Sequence, residues 1–330
     1  MVQKKRPESI EGLRMKRILL IAATALLTGA VHAQQDPQFT QWMNDKLSFN
    51  PGVAGTDGAN CLNLFYRQQW SGFDRSPKSM LLNFHAPVKA LKGGLGVTFY
   101  NDKLGQETNN ILRLSYSYHL PIKSAKLGIG IGLGLLGKKL GNDWHPPDGP
   151  LNLEPDLAIS ETAVSANSFD LNFGLFYFKP DNYYIGLSST HLTGQDLKDL
   201  SIQVARHYYF MAGYTYPLND MIKLRPNLLV KSDAQETTVD INVNALFNNM
   251  FWVGLSYRTE DAIAPMAGFQ HSWNNEDETA PQTIRIGYSY DVTTSELSNY
   301  SSGSHEIMLT YCFNLIEKLV KKSHGNPRFL

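Results

Sequence analysis

Residues 127–137 read LGIGIGLGLLG, and their alternation indicates the fold class. Glycine takes every second position from Gly128 to Gly134, and leucine or isoleucine fills the positions between. Because successive side chains of a strand point to opposite faces, one face of this segment is aliphatic and the other is bare. A strand of an outer-membrane barrel accounts for both faces, since the aliphatic face meets lipid and the bare face leaves room in the lumen.

The same letters contain the pattern G-x-G-x-x-G at Gly132, Gly134 and Gly137. In a dinucleotide-binding domain this pattern follows a strand and opens a helix. Here the glycines continue upstream in strict alternation, and no helical pattern follows them. The stretch therefore predicts a membrane strand rather than a phosphate-binding loop.

The composition of the 330 residues narrows the class of protein further. Beyond the N-terminus the sequence has no run of about 18 apolar residues, which argues against a helical membrane protein. Strands of a membrane barrel alternate between apolar and polar residues, so the absence of a long apolar run does not argue against a barrel. Equal numbers of basic and acidic residues give no argument for nucleic acid as a partner.

The N-terminus predicts a signal peptide over residues 1–33. Two basic residues precede the apolar run 18–27, and the small-residue site 31–33 resembles a cleavage site. The charged residues before Met15 exceed what a signal needs, so Met15 is a candidate for the true start. Cleavage after Ala33 would leave a mildly acidic mature chain.

Residues 34–59 do not alternate like a strand. An apolar set at helical spacing predicts a short amphipathic helix over 37–48, and Asn-Pro-Gly at 50–52 then predicts a turn. The set is Phe39, Trp42, Met43 and Leu47. Two interpretations stay open: a periplasmic lead-in, or a plug in or under the barrel mouth. The four apolar residues are candidates either for the plug or for contact with a partner.

From residue 60 to residue 313 the chain predicts an all-β, transmembrane antiparallel barrel of about fourteen strands. Residues 169–178 and 284–291 are typical, with apolar side chains alternating with Asp, Asn, Arg, Ser or Gly. Short turns alternate with longer polar loops, as expected for periplasmic turns and extracellular loops. Pro226 falls inside a predicted strand, where its missing N–H removes a ladder bond, so the register near it is left open.

Charged residues on the predicted lumen face should pair with one another or meet water. We expect a structural ion-pair ladder, with a substrate pathway as the alternative. Lys223, Arg225 and Lys231 lie one strand from Asp240, which suggests that they pair with it. The nine residues of the predicted ladder are Arg67, Arg113, Asp170, Lys223, Arg225, Lys231, Asp240, Arg285 and Glu306.

Cys61 and Cys312 fall in the first and last predicted strands, which would be neighbours at barrel closure. The pattern favours two unpaired thiols embedded in the membrane over a disulfide. No metal-ligand spacing joins them.

The sequence indicates no enzyme, no cofactor and no metal site. Trp144 and His145 stand near several carboxylates, but in a Pro-rich loop without ligand spacing. His305-Glu306 lacks the second histidine of H-E-x-x-H, and no G-x-S-x-G is present. Together with Trp70, Trp144 and His145 are candidates for contacts made by surface loops.

Several stretches of the mature chain resemble the PorP/SprF family of Bacteroidetes outer-membrane proteins. They are QDPQFTQWM at 35–43, NPGVAGT at 50–56, RQQW at 67–70, DLNFGLFYF at 170–178, YYIGLSSTHL at 183–192, RIGYSYD at 285–291 and GSHEIMLTYCF at 303–313. The resemblance spans essentially the whole mature chain.

The resemblance implies an outer-membrane barrel of the type IX secretion and gliding machinery, surrounded by lipid and without catalytic residues. It implies help in exporting or anchoring a cargo adhesin with a C-terminal sorting domain, and contact with periplasmic peptidoglycan-binding or type IX components. We expect both termini in the periplasm, including the basic tail 314–330. Two rivals remain: a fatty-acid-type transport pore with an N-terminal hatch, and a secreted soluble β-sandwich adhesin.

Overall fold

The computed structural model describes residues 38–72, 74–142, 162–194, 196–200, 202–273 and 282–314. The predicted signal peptide and most of the basic tail lie outside these ranges. Within them, no helix has the length and apolar character needed to cross a bilayer. The strands are β1 (Asn60–Gln68), β2 (Lys78–Val88), β3 (Gly93–Leu104), β4 (Glu107–Ile122), β5 (Ala125–Leu140), β6 (Val164–Lys179), β7 (Tyr183–Thr190), β8 (Asp196–Leu197), β9 (Ile202–Gln203), β10 (His207–Tyr214), β11 (Tyr216–Pro217), β12 (Ile222–Ser232), β13 (Thr237–Phe247), β14 (Phe251–Arg258), β15 (Ala262–Trp273), β16 (Gln282–Thr293) and β17 (Ser304–Phe313). Short 3-10 turns are Trp42–Asn44, Pro51–Val53, Lys89–Leu91, Lys198–Leu200 and Glu296–Asn299.

The long strands close into one antiparallel barrel. Each pairs with its neighbours along the chain, β10 pairs with both β7 and β12, and β1 pairs with both β2 and β17. Strand β11 continues β10 for two residues, and β8 pairs with β9 within a loop. The prediction of about fourteen barrel strands is confirmed, and the alternative of a soluble β-sandwich is wrong.

The outer surface of the barrel is apolar where the alternation places it. On β5, Ile131 and Leu135 expose 50% and 59% of their surface, and the glycines between them face inward. Val253 and Leu255 of β14 are similarly exposed. Such a continuous apolar surface is unfavourable in water and fits contact with lipid.

The two ends of the barrel differ, and we name them by their connections. The turn pole carries the short connections after β2, β4, β6, β11 and β13, together with the start of β1 and the end of β17. The loop pole carries residues 69–77, 191–206 and 294–303. The predicted alternation is incomplete, because Gly105-Gln106 and residues 259–261 at the loop pole are also short.

The register around Pro226 is regular. Gly213 is opposite Asn227 and Tyr216 is opposite Leu224, so one register continues across a short gap in the ladder. On its other side, Pro226 keeps its place opposite Val243. The gap therefore absorbs the missing N–H of proline without a bulge.

Cys61 and Cys312 form a disulfide, with an S–S distance of 2.10 Å. The expectation of two unpaired thiols embedded in the membrane is wrong. Closure pairs β1 with β17 and sets the two cysteines directly opposite each other. The alternation of β1 also turns Cys61 inward, on the same buried face as Asn63 and Arg67.

Candidate functional site

Residues 38–59, which we call the inner segment, lie inside the barrel. Phe39, Trp42, Met43 and Leu47 are all buried, and Trp42 is 0% exposed. The predicted helix over 37–48 is wrong, because only Trp42–Asn44 forms a single 3-10 turn. The backbone of this segment instead makes hydrogen bonds to side chains of the barrel wall, which compete with helical bonds.

Glu306 of β17 holds the start of the inner segment. The backbone N–H of Thr40 donates to Glu306 Oε2 over 2.7 Å, and that of Gln41 donates to Oε1 over 2.8 Å. The Thr40 hydroxyl accepts from Arg67 Nη1 and donates to Asp291, each over 2.8 Å. This contact occupies the lumen close to the loop pole.

Two guanidinium groups bind the carboxylates around this contact. Arg67 Nη2 lies 2.7 Å from Asp291 Oδ2, and Arg258 Nε lies 2.9 Å from Asp240 Oδ2. Arg258 also reaches Asp261 at 2.8 Å and Asp291 at 3.5 Å. Because all but Asp261 are buried, loss of one partner would leave an uncompensated charge at a cost of about 3–5 kcal/mol.

A second cluster holds the middle of the inner segment. Arg113 Nη1 donates to the Ser48 carbonyl over 2.8 Å, and its Nη2 lies 3.2 Å from Asp170 Oδ2. Asp170 also lies 3.0 Å from His191 Nδ1 and accepts from Asn172 over 2.9 Å. The wall thus contributes a carboxylate that orients the arginine toward the inner segment.

The bare face of β5 receives the turn-pole half of the inner segment. A Cβ on Gly128 or Gly130 would overlap the backbone of Gly52, and one on Gly174 would overlap the Asn50 side chain. Asn50 Nδ2 donates to the Leu175 carbonyl over 3.0 Å. The room that the glycines leave is therefore filled by the chain's own backbone.

The structure brings together five of the nine residues of the predicted ladder, in two separate clusters rather than one ladder. They are Arg67, Asp240 and Glu306 in one cluster, and Arg113 and Asp170 in the other. Asp240 pairs with Arg258, so its expected pairing with Lys223, Arg225 and Lys231 is wrong. In the β12–β13 register Asp240 is opposite Leu229 rather than any of those three residues. In the β13–β14 register it is directly opposite Arg258.

Sequence reasoning missed Arg258 and Asp291 as site residues. The alternation alone could have found both, since Arg258 falls on the face of β14 opposite the exposed Val253 and Leu255. Asp291 shares the inward face of β16 with Ser289. Thr40 had no sequence signal, because its role depends on where the inner segment lies.

A cavity of about 530 Å³ opens at the loop pole, next to the start of the inner segment. Gln38 and Trp70 contribute to its wall, together with Asp102, Glu260 and Asp261. Hydroxyl-bearing residues and apolar residues complete the lining: Ser79, Thr237, Thr238, Thr259 and Ser295, with Pro77, Leu104 and Leu297. Of the three candidates for surface-loop contacts, Trp70 lies in the wall of this cavity. Trp144 and His145 lie outside the described residues.

Among the described residues, one carboxylate approaches the disulfide. Oxygen and sulfur atoms of Asp57, Cys61 and Cys312 lie within 4.8 Å of one another, a spacing that suits a metal ion. The two sulfur atoms are bonded to each other, so neither is a thiolate ligand. In the oxidised protein this group is a structural link.

Comparison with protein families matches residues 31–311 to a family described as "Type IX secretion system membrane protein PorP/SprF". The chain belongs to the PorP/SprF family. The match covers the inner segment and almost the entire barrel, and it confirms the resemblance drawn from the motifs. A comparison with curated protein sequences finds no match.

Solved structures similar to this PorP/SprF chain are outer-membrane barrels. "CymD monoaromatic hydrocarbon channel" is 12% identical with a TM-score of 0.51, covering 84% of this chain and 93% of that one. The toluene transporter TbuX of Ralstonia pickettii is 12% identical with a TM-score of 0.48, covering 84% and 94%. At these identities the likeness to CymD shows the fold alone. Fold and family together make the PorP/SprF chain an integral outer-membrane barrel of the type IX secretion system.

Proposed function

We propose that this chain is a non-enzymatic barrel that helps to export a type IX cargo protein or to anchor it at the cell surface. The observation that carries the proposal is the inner segment, which crosses the lumen and is hydrogen-bonded to buried groups at both of its ends. A lumen filled in this way leaves the loops and the cavity between them as the working surface.

The loop-pole cavity suits a segment of polypeptide. Its hydroxyl and carboxyl groups offer acceptors and donors to a peptide backbone, and Trp70 offers a large apolar surface at the rim. Because the longer loops of bacterial barrels face the cell exterior, we expect the cavity to face the cargo. The cargo segment is the C-terminal sorting domain or the chain next to it.

The test compares surface proteomes of the source bacterium with and without this gene. We expect at least one protein with a type IX sorting domain to leave the surface in the deletion strain. Complementation with Trp70→Ala should restore it only in part, whereas Tyr300→Ala, an exposed loop aromatic outside the cavity lining, should restore it fully. Unchanged surface display in the deletion strain would overturn the cargo role.

A transport pore with the inner segment as its hatch is the second candidate, favoured by the fold shared with a protein described as a channel. Planar-bilayer recording separates the two. A cargo anchor with a filled lumen should stay closed at moderate voltage, whereas steady conductance of the wild-type protein would favour the pore.

On the opposite side, we expect the turn pole and the basic tail 314–330 to face the periplasm. Periplasmic peptidoglycan-binding or type IX components are the partners that the family implies there. Cysteines introduced at 218–221 check this orientation. A thiol-reactive cross-linker that cannot pass the outer membrane should not react with them in intact cells, because they would lie on the periplasmic side.

A further inference from the structure

The inner segment crosses the lumen from the loop pole to the turn pole. Near the loop pole, the backbone N–H of Thr40 donates to Glu306. Further along the chain, Gly52 packs against Gly128 near the turn pole, and β1 then begins at that pole. The described chain therefore starts at Gln38 on the pole opposite to the start of β1.

Few residues precede Gln38 in the mature chain. The predicted cleavage after Ala33 leaves only residues 34–37, which read QQDP. Four residues span at most about 14 Å when fully extended, and the apolar band of an outer-membrane barrel is about 25 Å tall. A mature N-terminus attached to Gln38 is therefore too short to return to the turn pole.

Gln38 itself contributes to the wall of the loop-pole cavity, so residues 34–37 are tethered at the cavity. The cavity volume of about 530 Å³ lies in the range of ordinary ligand sites. A short tether presents the segment to the cavity at an effective concentration of millimolar order. Contacts that would be weak between separate molecules are sufficient in this arrangement.

The chemistry of the segment matches the lining of the cavity. Cleavage creates an α-amino group on Gln34 that is mostly charged at neutral pH. Among the lining residues that the structure describes, four are acidic and none is basic; the four are Asp102, Glu236, Glu260 and Asp261. Asp261 also pairs with Arg258, which leaves the other three as the main source of negative charge. Hydroxyl groups of the lining can donate to Asp36, the one carboxylate of the segment.

We propose that residues 34–37 occupy the loop-pole cavity and that its carboxylates hold the mature N-terminus there. The expectation of a periplasmic N-terminus assumed a direct path from the signal peptide to β1, whereas the inner segment first crosses the lumen. This occupancy does not depend on the cargo role. A cargo segment that entered the cavity would displace residues 34–37.

The test is cross-linking within the full-length mature protein in detergent. Gln35→Cys is combined with Ser295→Cys in the cavity wall, and a short bis-maleimide joins cysteines that lie close together. The matched control combines Gln35→Cys with Leu218→Cys, an exposed position at the turn pole. Cys61 and Cys312 are bonded to each other and do not compete for the reagent.

We expect a cross-link in the first pair and none in the control pair. No cross-link to Ser295→Cys, or equal yields in the two pairs, would overturn the proposal. Intact mass of the purified protein checks the cleavage after Ala33, and a retained signal peptide would overturn the proposal as well.

A spin label on Gln35→Cys tests the part played by the carboxylates. The label should be immobilised in the otherwise unchanged protein and should become mobile when Glu236→Gln and Glu260→Gln are added. The control pair, Asp196→Asn with Asp199→Asn, removes the same charge from exposed positions outside the cavity lining and should leave the label immobilised. A label that is mobile from the start, or one that responds equally to both pairs, would contradict this arrangement.

Discussion

Asp45 shows how a single buried group responds to the filled lumen. It is nearly inaccessible to solvent and accepts a hydrogen bond from Asn83 of β2. Burial raises the pKa of Asp45 from its usual 3.8 to about 6. Because the folded protein favours the protonated form, this carboxyl is stabilising in acid and costs stability once it ionises.

The substitution Asp45→Asn tests how ionisation of this carboxyl affects stability. The carboxyl's contribution is fully present below about pH 4 and is lost as the pH rises through 6. The amide keeps an acceptor for Asn83 and cannot ionise. We expect thermal unfolding near wild type at pH 4 and a higher unfolding temperature at pH 8, worth on the order of 3 kcal/mol. An equal effect at both pH values would contradict the assignment.

At the scale of elements, the molecule depends on how the inner segment meets the wall. Glycines of β5 and β6 admit its backbone near the turn pole, and Glu306 of β17 holds its start near the loop pole. These contacts join residues far apart in sequence and replace the hydrogen bonds that a helix would have made.

Gly130→Ala should displace the inner segment. The new methyl group would overlap Pro51 and Gly52, and overpacking of this kind costs about 1–3 kcal/mol. Gly137→Ala on the same strand is the control, since its nearest neighbour is the end of the Asn167 side chain at 3.0 Å. Limited proteolysis should cut residues 38–59 faster in the first variant only. Equal protection in both would show that the close approach is unimportant.

Glu306→Gln should release the start of the inner segment. The amide can accept one of the two backbone N–H bonds but faces the other with its own donor, and Arg67 loses part of its charge compensation. We expect a loss of about 3–5 kcal/mol and intermittent channel openings in planar bilayers. Glu260→Gln, which lines the cavity, is the control and should stay closed. Silent bilayers with an unchanged unfolding midpoint would refute this role of Glu306.

For the whole molecule, the seam between β1 and β17 is where the barrel closes. The Cys61–Cys312 disulfide crosses that seam and links positions 251 residues apart. A covalent link over so long a loop restricts the unfolded chain, which on the chain-entropy account stabilises the folded barrel by about 5–6 kcal/mol.

Cys61→Ser with Cys312→Ser should therefore unfold at a lower temperature than the oxidised wild type. Reduced wild-type protein should behave like the variant, because both lack the same link. The shift from folded to unfolded mobility in heated gel samples gives the measurement, with and without reductant. A variant that matches oxidised wild type would show that strand pairing alone closes the seam.

Much of the fold was predictable because the lipid-facing residues of each barrel strand are apolar and alternate with lumen-facing residues. Alternation along each strand predicted the number of barrel strands and the outward face of segments such as 127–137. Local patterns were less reliable outside the barrel strands: helical spacing in the inner segment reflected burial on all sides rather than a helix.

Because a period of two assigns each residue of a strand to one face, the residue pattern was enough to predict a membrane barrel and the inward or outward face of most strand positions. Three features became evident only in the folded barrel: the Cys61–Cys312 disulfide, the pairing of Arg258 with Asp240, and the filling of the lumen by residues 38–59. Those outcomes depend on barrel closure and on contacts across the lumen, which bring together residues hundreds of positions apart. Alternation along one strand carries no information about them.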